Sequence, residues 1–378
     1  MKNERIFLSR PHMGGTEISY IDDAFEKNWI APLGENVTEF ENDVKSYVDM
    51  SHAVALSSGT AAIHLALIEC GVQKNDIVFC STLTFCASAN PILYQGGIPV
   101  FIDSELNSWN MSAIALKKAL EKYSEQGVKP KAVIVVNLYG QSANYNEIVN
   151  LCQEYNVTLI EDAAESLGSE YEGKMSGSIG NYSIFSFNGN KIITTSGGGM
   201  LLSNNKEGIE HSLFLATQAR DQAIHYQHSE LGFNYRLSNI SAGIGRGQME
   251  VLPRRIERRR EIFNNYQNKL SKIPGVKFQQ ELPNSKSNRW LTALQIDDKQ
   301  SGLTVQKIIE HLTEKNIEAR PVWKPMHLQP LFEKYDYIVE DKDNAKALFE
   351  NGICLPSGSD MSNEQQEKVI KEIKLLTQ

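Results

Sequence analysis

Tyr182-Ser183-Ile184-Phe185-Ser186-Phe187-Asn188-Gly189-Asn190-Lys191 runs from an apolar stretch into a polar, glycine-flanked turn that carries one lysine, and Gly197-Gly198-Gly199-Met200 follows. Upstream, Val157-Thr158-Leu159-Ile160-Glu161-Asp162-Ala163-Ala164-Glu165 is a second apolar strand that ends in carboxylates. Working outward, Ala132-Val133-Ile134-Val135-Val136 is apolar at every position. A strand buried on both faces belongs to a sheet covered by helices on both sides. Strand patterns at 52–57, 76–80, 98–103, 131–138, 157–160, 182–187 and 199–203 alternate with helical ones such as 60–69, 112–126 and 144–155. That alternation predicts an α/β fold with a mostly parallel sheet, which binds ligands at the carboxyl ends of its strands. Asp162 and Lys191 both fall in that zone.

A lysine and an aspartate at neighbouring strand ends are the two protein groups that pyridoxal phosphate requires. The lysine forms a Schiff base, and the acid keeps the pyridine nitrogen protonated so that the ring acts as an electron sink. Taken singly, most lysines are surface groups and most such aspartates cap helices, so the surroundings decide. Ser57-Ser58-Gly59-Thr60-Ala61-Ala62-Ile63 reads as a strand-to-helix turn, and a helix amino terminus is a phosphate site. The same residues fit a plain Ser/Thr cap equally well. Ser186 adds a hydroxyl at the same rim. Phe85, in Thr82-Leu83-Thr84-Phe85-Cys86, stands where an aromatic ring would cover one face of a bound cofactor, though aromatics at such places more often belong to a core.

With 378 residues the chain has room for a large core. The pattern divides it into a large cofactor-binding α/β unit at 1–250 and a smaller α+β unit at 251–378. The small unit carries strands at 276–279 and 290–296 and a helix at 304–316. A long helix at 238–270 joins them, with Pro253 expected to kink or divide it. The net charge of −8 argues against a nucleic-acid role resting on general basicity. The basic run 254–260, beside Glu250, Glu257 and Glu261, is expected on the outer face of that helix. Gly243-Ile244-Gly245-Arg246-Gly247 has the wrong spacing for a dinucleotide loop, and no strand precedes it. Five scattered cysteines without a CxxC pair suggest neither disulfides nor zinc. His225 and His228 lack a third ligand, so no metal is expected. Met1-Lys2-Asn3-Glu4-Arg5 opens no leader-like apolar core, and no run is long enough to span a membrane. These features suggest a cytoplasmic enzyme that acts neither on nucleic acid nor in a membrane.

The Ser58-Gly59-Thr60 turn, Glu161-Asp162-Ala163-Ala164-Glu165, Ser186 to Lys191 before a triple glycine, and Asn234-Tyr235-Arg236-Leu237-Ser238 occur in this order. Together they resemble the DegT/DnrJ/EryC1/StrS sugar aminotransferases over nearly the whole chain. The resemblance implies a fold-type-I, aspartate-aminotransferase-like transferase using pyridoxal 5'-phosphate, with pyridoxamine 5'-phosphate in the half-reaction. It implies that Lys191 is the Schiff-base lysine and Asp162 the partner of the pyridine nitrogen. Phe85 would stack on the ring, while Gly59, Thr60 and Ser186 would hold the phosphate, helped by Asn234 from a second subunit of a homodimer with shared sites. Glu165 occupies a position, often glutamine or histidine in the family, near the ring hydroxyl and the substrate. Trp29, Pro32 and Gly34, with Trp323, Lys324 and His327, lie in segments that resemble the substrate loops of members acting on UDP-linked amino sugars. Arg236 joins them as a cation for a diphosphate. The implied substrates are an amino acid, glutamate by resemblance, and the C4 keto group of a UDP-linked 4-keto-6-deoxy-N-acetylhexosamine, as in glycan biosynthesis. A dTDP-linked keto sugar, or a non-catalytic sugar-binding role, is the alternative.

Overall fold

The computed structural model describes residues 4–377. Met1, Lys2 and Asn3, on which the leader reading partly rests, and Gln378 lie outside the described residues. Apolar five-residue runs form the strands of a large sheet: β1 (His52–Leu56), β2 (Ile77–Ser81), β3 (Ile98–Ile102), β4 (Ala132–Val136), β5 (Thr158–Asp162), β6 (Tyr182–Ser186) and β7 (Gly199–Ser203). The spatial order is β1-β7-β6-β5-β4-β2-β3, with a short strand Tyr337–Ile338 at the far edge. Pairing is parallel from β6 to that edge, and β7 alone runs antiparallel to both its neighbours. Every residue of β4 and of β7 is buried.

A second, four-stranded antiparallel sheet is built from β8 (Val276–Phe278), β9 (Thr292–Ile296) and β10 (Gly352–Leu355), with Arg320–Pro321 at its edge. Its own apolar core, including Ile262, Leu294, Ile308 and Val369, lies between this sheet and its helices. Among the described residues no helix is long and apolar enough to cross a membrane.

Three helices matter for the site: α1 (Glu17–Glu26), α2 (Glu35–Val48) and α3 (Gly59–Glu69). In α3 the residues from Ala61 to Leu67 are all buried, so its place is fixed by packing on every side. Ser58 caps it, its Oγ accepting the Ala61 N–H at 3.1 Å. A fourth helix, α4 (Asn239–Leu270), runs through Pro253 as one element rather than two. The proline removes a single intrahelical donor. Its neighbours Val251, Leu252, Arg255 and Ile256 are buried on one face and hold the helix together. On the same helix a Cβ at Gly245 would lie 2.7 Å from the Phe40 ring, and one at Gly247 would lie 2.8 Å from the Glu17 backbone. The repeated glycines therefore let α1 and α2 approach α4 closely.

The basic run on α4 departs from the outer-face expectation. Arg255 and Arg259 are buried, one helical turn apart. Arg255 donates to the carbonyls of His12 (3.0 Å) and Met13 (2.9 Å). Arg259 donates to the Trp290 carbonyl, to that of Ser357 at 3.1 Å and to Ser9 Oγ at 3.0 Å. The guanidinium forks thus satisfy carbonyls of the amino-terminal segment at Arg255 and carbonyls of the smaller unit at Arg259. Within the run only Arg254 and Glu257 are exposed, while Arg258 and Arg260 are half-buried.

Candidate active site

β5 and β6 are parallel neighbours, with Asp162 opposite Ile184. Successive side chains on a strand face opposite sides, and this separates the acidic pair. Glu161 points into a polar nest, accepting from Asn137 Nδ2 at 3.0 Å, the N–H groups of Gly177 (2.8 Å) and Ile179 (2.9 Å), and Ser183 Oγ at 3.1 Å. Asp162 points the other way, into a cavity of about 410 Å³ at the strand ends. It accepts Ser88 Oγ at 2.6 Å and the Ala164 N–H at 3.2 Å, and Ser88 is in turn 2.6 Å from Thr84 Oγ1. Burial raises the Asp162 carboxyl above its ordinary range, opposed by these donors and by the charge of Lys191.

Lys191 enters the cavity from the turn after β6. Its Nζ lies 3.5 Å from Glu165 Oε1 and 4.1 Å from the centre of the Trp290 ring. Glu165 is held from the other side by the Tyr139 N–H at 2.7 Å. Tyr139 itself has φ of +56°, an uncommon conformation for a residue with a side chain, which this contact helps maintain. Burial pushes the Glu165 carboxyl up to about 7, opposed first by the charge on Lys191. The cavity thus combines one amine with two buried carboxyl groups, both shifted toward their protonated forms.

At the opposite end the cavity is lined by Ser57, Ser58, Gly59 and Thr60 at the start of α3, by Ser186, and by Gly197 and Gly198. A Cβ on Gly199 would lie 2.3 Å from the Ser58 carbonyl carbon and 2.4 Å from the Gly59 nitrogen, so only glycine lets β7 close this cradle. The cradle is small-residue and hydroxyl-rich, and faces a helix amino terminus, which suits a phosphate group. Phe85 stands at the mouth, 57% exposed and 5.7 Å from the Trp323 ring. The donor set and the cradle fit pyridoxal phosphate at both ends.

The structure gathers Gly59, Thr60, Phe85, Asp162, Glu165, Ser186, Lys191 and Trp323 around one cavity. Other anticipated residues lie elsewhere. Asn234 is exposed beside Thr217. Arg236 is engaged by Glu41 and by the Ala55 carbonyl at 2.9 Å, which commits its charge inside the fold. Trp29, Pro32 and Gly34 form an exposed loop between α1 and α2, in which a side chain on Gly34 would strike the Trp29 ring at 2.3 Å. Lys324 is exposed next to Trp323. His327 has both ring nitrogens engaged, one 2.7 Å from Thr82 Oγ1 and the other 3.1 Å from Asp343, and it stacks on Tyr337 at 3.6 Å. Burial lowers its pKa, opposed by Asp343. It fastens the end of β2 to the 326–343 segment rather than facing the cavity. Among the described residues no metal-binding cluster of His, Cys, Asp and Glu occurs. Ser88, Tyr139 and Trp290 join the site without having been marked by local sequence pattern.

A lysine and a buried aspartate at adjacent parallel strand ends, above a glycine-rich helix start, define a fold-type-I pyridoxal-phosphate enzyme. The chain belongs to the DegT/DnrJ/EryC1/StrS aminotransferase family, which it matches over residues 11–374. It is 56% identical to EpsN of Bacillus subtilis over 371 residues, covering 98% of this chain and 95% of EpsN. It is 35% identical to a GDP-perosamine synthase of Escherichia coli O157:H7 over 357 residues, 94% of each chain. A Campylobacter jejuni UDP-4-amino-4,6-dideoxy-N-acetyl-beta-L-altrosamine transaminase is 32% identical over 349 residues, covering 92% of this chain and 90% of that one. Among solved structures, a DegT DnrJ EryC1 StrS aminotransferase from Brucella abortus superposes with a TM-score of 0.89 at 25% identity, covering 96% and 95% of the two chains. The protein is a pyridoxal-phosphate-dependent sugar aminotransferase.

Proposed function

We propose that the protein moves an amino group from L-glutamate to the C4 keto group of a UDP-linked 4-keto-6-deoxy-N-acetylhexosamine. The observation that carries the chemistry is the convergence of Lys191, Asp162 and Glu165 on one cavity above the α3 cradle. Pyridoxal phosphate, when bound, supplies an aldehyde for the incoming amine and a ring that accepts the electron pair released at carbon. Gly59, Thr60 and Ser186 would hold its phosphate, Asp162 would serve its pyridine nitrogen, Phe85 would cover its ring and Glu165 would serve its ring hydroxyl. Lys191 would be the covalent anchor and the general acid-base group that carries a proton between carbon atoms. With the cofactor bound, Asp162 would pair its carboxylate with the protonated ring nitrogen in a buried site, where a fixed charge acts most strongly.

Trp323 lines the cavity and offers a flat surface to a sugar or base, with Lys324 beside it as a cation for a diphosphate. Trp29, Pro32, Gly34 and Asn234 enter this reading through the second subunit of a homodimer with shared sites. Arg236 and His327 are left out of the substrate contacts, because their polar groups are engaged within the fold. The UDP-linked sugar is supported by the likeness to the Campylobacter transaminase. A GDP-linked sugar is the second reading, favoured by the likeness to the GDP-perosamine synthase. Turnover with glutamate against UDP-, GDP- and dTDP-linked 4-keto-6-deoxy sugars, with product configuration read by NMR, separates them. Preference for a GDP or dTDP sugar, or amination at carbon 3, overturns the UDP reading and leaves the aminotransferase intact.

A further inference from the structure

Lys191 sits in a turn with little regular structure around it, yet its immediate backbone is pinned from two distant parts of the chain. The carbonyl of Asn190, one residue before the lysine, accepts the Trp290 indole Nε1–H at 2.7 Å. The same carbonyl accepts Ser9 Oγ at 2.8 Å. Both donors are themselves held by Arg259, which donates to Ser9 Oγ at 3.0 Å and to the backbone carbonyl of Trp290. Trp290 is further fixed by its own N–H, which donates to Asn288 Oδ1 at 2.8 Å. It is 1% exposed, and its ring lies 4.1 Å from Lys191 Nζ. A buried indole N–H needs some acceptor, and packing alone does not require that acceptor to be the carbonyl adjoining the lysine. Nor does packing require a second donor, from the amino-terminal segment, on the same atom.

We propose that Trp290 and Ser9, aligned by Arg259, are positioning residues that fix the Asn190 carbonyl and thereby aim Lys191 into the cavity. This rests on the assignment of Lys191 as the covalent anchor. Two donors share the one acceptor, so removing either leaves the turn half held. The arrangement also ties the lysine's aim to the amino-terminal segment, to α4 and to the entry of β9. A change in how these parts pack would therefore reach the site through one carbonyl.

The test uses the full chain freed of cofactor with hydroxylamine, as wild type, Ser9→Ala, Trp290→Phe and the double variant. Both substitutions are neutral, and phenylalanine keeps an aromatic face near Lys191, so the charge environment of the lysine is little altered. Two quantities are measured: the rate at which added pyridoxal phosphate is captured, read by its visible absorbance, and the affinity for pyridoxamine phosphate, read by fluorescence. Capture condenses the Lys191 amine with the aldehyde and releases one water, whereas pyridoxamine phosphate has no carbonyl and forms no bond with lysine. Each single variant is expected to slow capture about fivefold and the double variant about 25-fold or more, the scale of losing one and then both hydrogen bonds. Pyridoxamine phosphate affinity should stay within about twofold throughout, since the cradle, Asp162 and Phe85 are untouched. The proposal is overturned if the double variant captures at the wild-type rate, or if both quantities fall together, as a loosened cavity would require. Should Trp290→Phe fail to fold, Ser9→Ala alone decides: slowed capture with unchanged pyridoxamine phosphate affinity supports the anchor, and unchanged capture overturns it. Borohydride trapping and peptide mapping on wild type check the assignment beneath it. A label on another lysine overturns both.

Discussion

Glu161 and Asp162 show how one position along a strand separates a structural carboxylate from a chemical one. Glu161 is surrounded by donors and has no direction left open, whereas Asp162 keeps its face toward the cavity and is held by Ser88 and one N–H. Asp162→Asn should preserve the fold and lower turnover by about a hundredfold or more, the scale of removing one preorganised electrostatic partner. Steady-state kinetics with glutamate check this, and near-normal turnover would return attention to Glu165. Lys191→Ala should abolish turnover while pyridoxamine phosphate still binds, measured by fluorescence titration, because the cradle is untouched. Glu165 makes a prediction about stability. Its carboxyl is raised to about 7 in the folded protein, so between its unfolded value and that point the native state holds the extra proton. Stability of the cofactor-free protein is therefore present at acidic pH and lost as pH rises through this window. Glu165→Gln should flatten that slope, with a gain in melting temperature over wild type that is larger above the window than below it. Thermal melts across the window read the difference, and parallel curves for the two proteins would refute the shift.

At the scale of elements, the strands were legible because short apolar runs bounded by turns have few alternatives in a sheet covered on both sides. β7 is found at the anticipated 199–203. Its antiparallel direction was not legible, since the run reads the same whichever way it pairs and the reversal depends on the turn after Lys191. The α3 turn was ambiguous in sequence between cap and phosphate site, and it is built as both: Ser58 caps the helix while Gly59 and Thr60 face the cavity. Long-range partners account for most of what was not legible. Ser88 reaches Asp162 across 74 residues and Trp290 reaches Asn190 across 100. Local patterning carries no trace of either contact. The basic run on α4 read as surface because charge is normally solvated, and only distant parts of the chain supply the carbonyls that bury it: His12 and Met13 for Arg255, Trp290 and Ser357 for Arg259. One glycine can be tested at this scale. Gly199→Ala would push a methyl group against the backbone of Ser58 and Gly59. It should destabilise the protein by about 1–3 kcal/mol as overpacking does, and should weaken pyridoxamine phosphate binding as the cradle shifts. Chemical denaturation and a binding titration report the two effects separately.

At the scale of the whole molecule, the cavity of one chain holds an amine, two carboxyl groups and a phosphate cradle, yet several residues anticipated around it lie exposed elsewhere. Asn234 and the Trp29-to-Gly34 loop do not reach the cavity of their own chain. Exposed apolar side chains accompany them, including Ile224, Tyr226 and Leu231 near Asn234, and Ile30 and Leu33 beside Trp29. A dimer with shared sites would cover these groups and bring the missing residues to the partner's cavity. The proposal predicts complementation between two inactive chains. Lys191→Ala removes the amine, and Asn234→Asp places a negative charge against the phosphate of the neighbouring site. In a mixed dimer, one cavity pairs the native Lys191 of the second chain with the native Asn234 of the first. With equal mixing about half the dimers are mixed and each holds one intact site, so up to about a quarter of wild-type activity should return. Subunit exchange is verified by mass measurement of differently tagged chains before activity is read. Recovery that grows with the mixed fraction supports the shared site, whereas mixed dimers without activity would mean that each cavity is completed by its own chain.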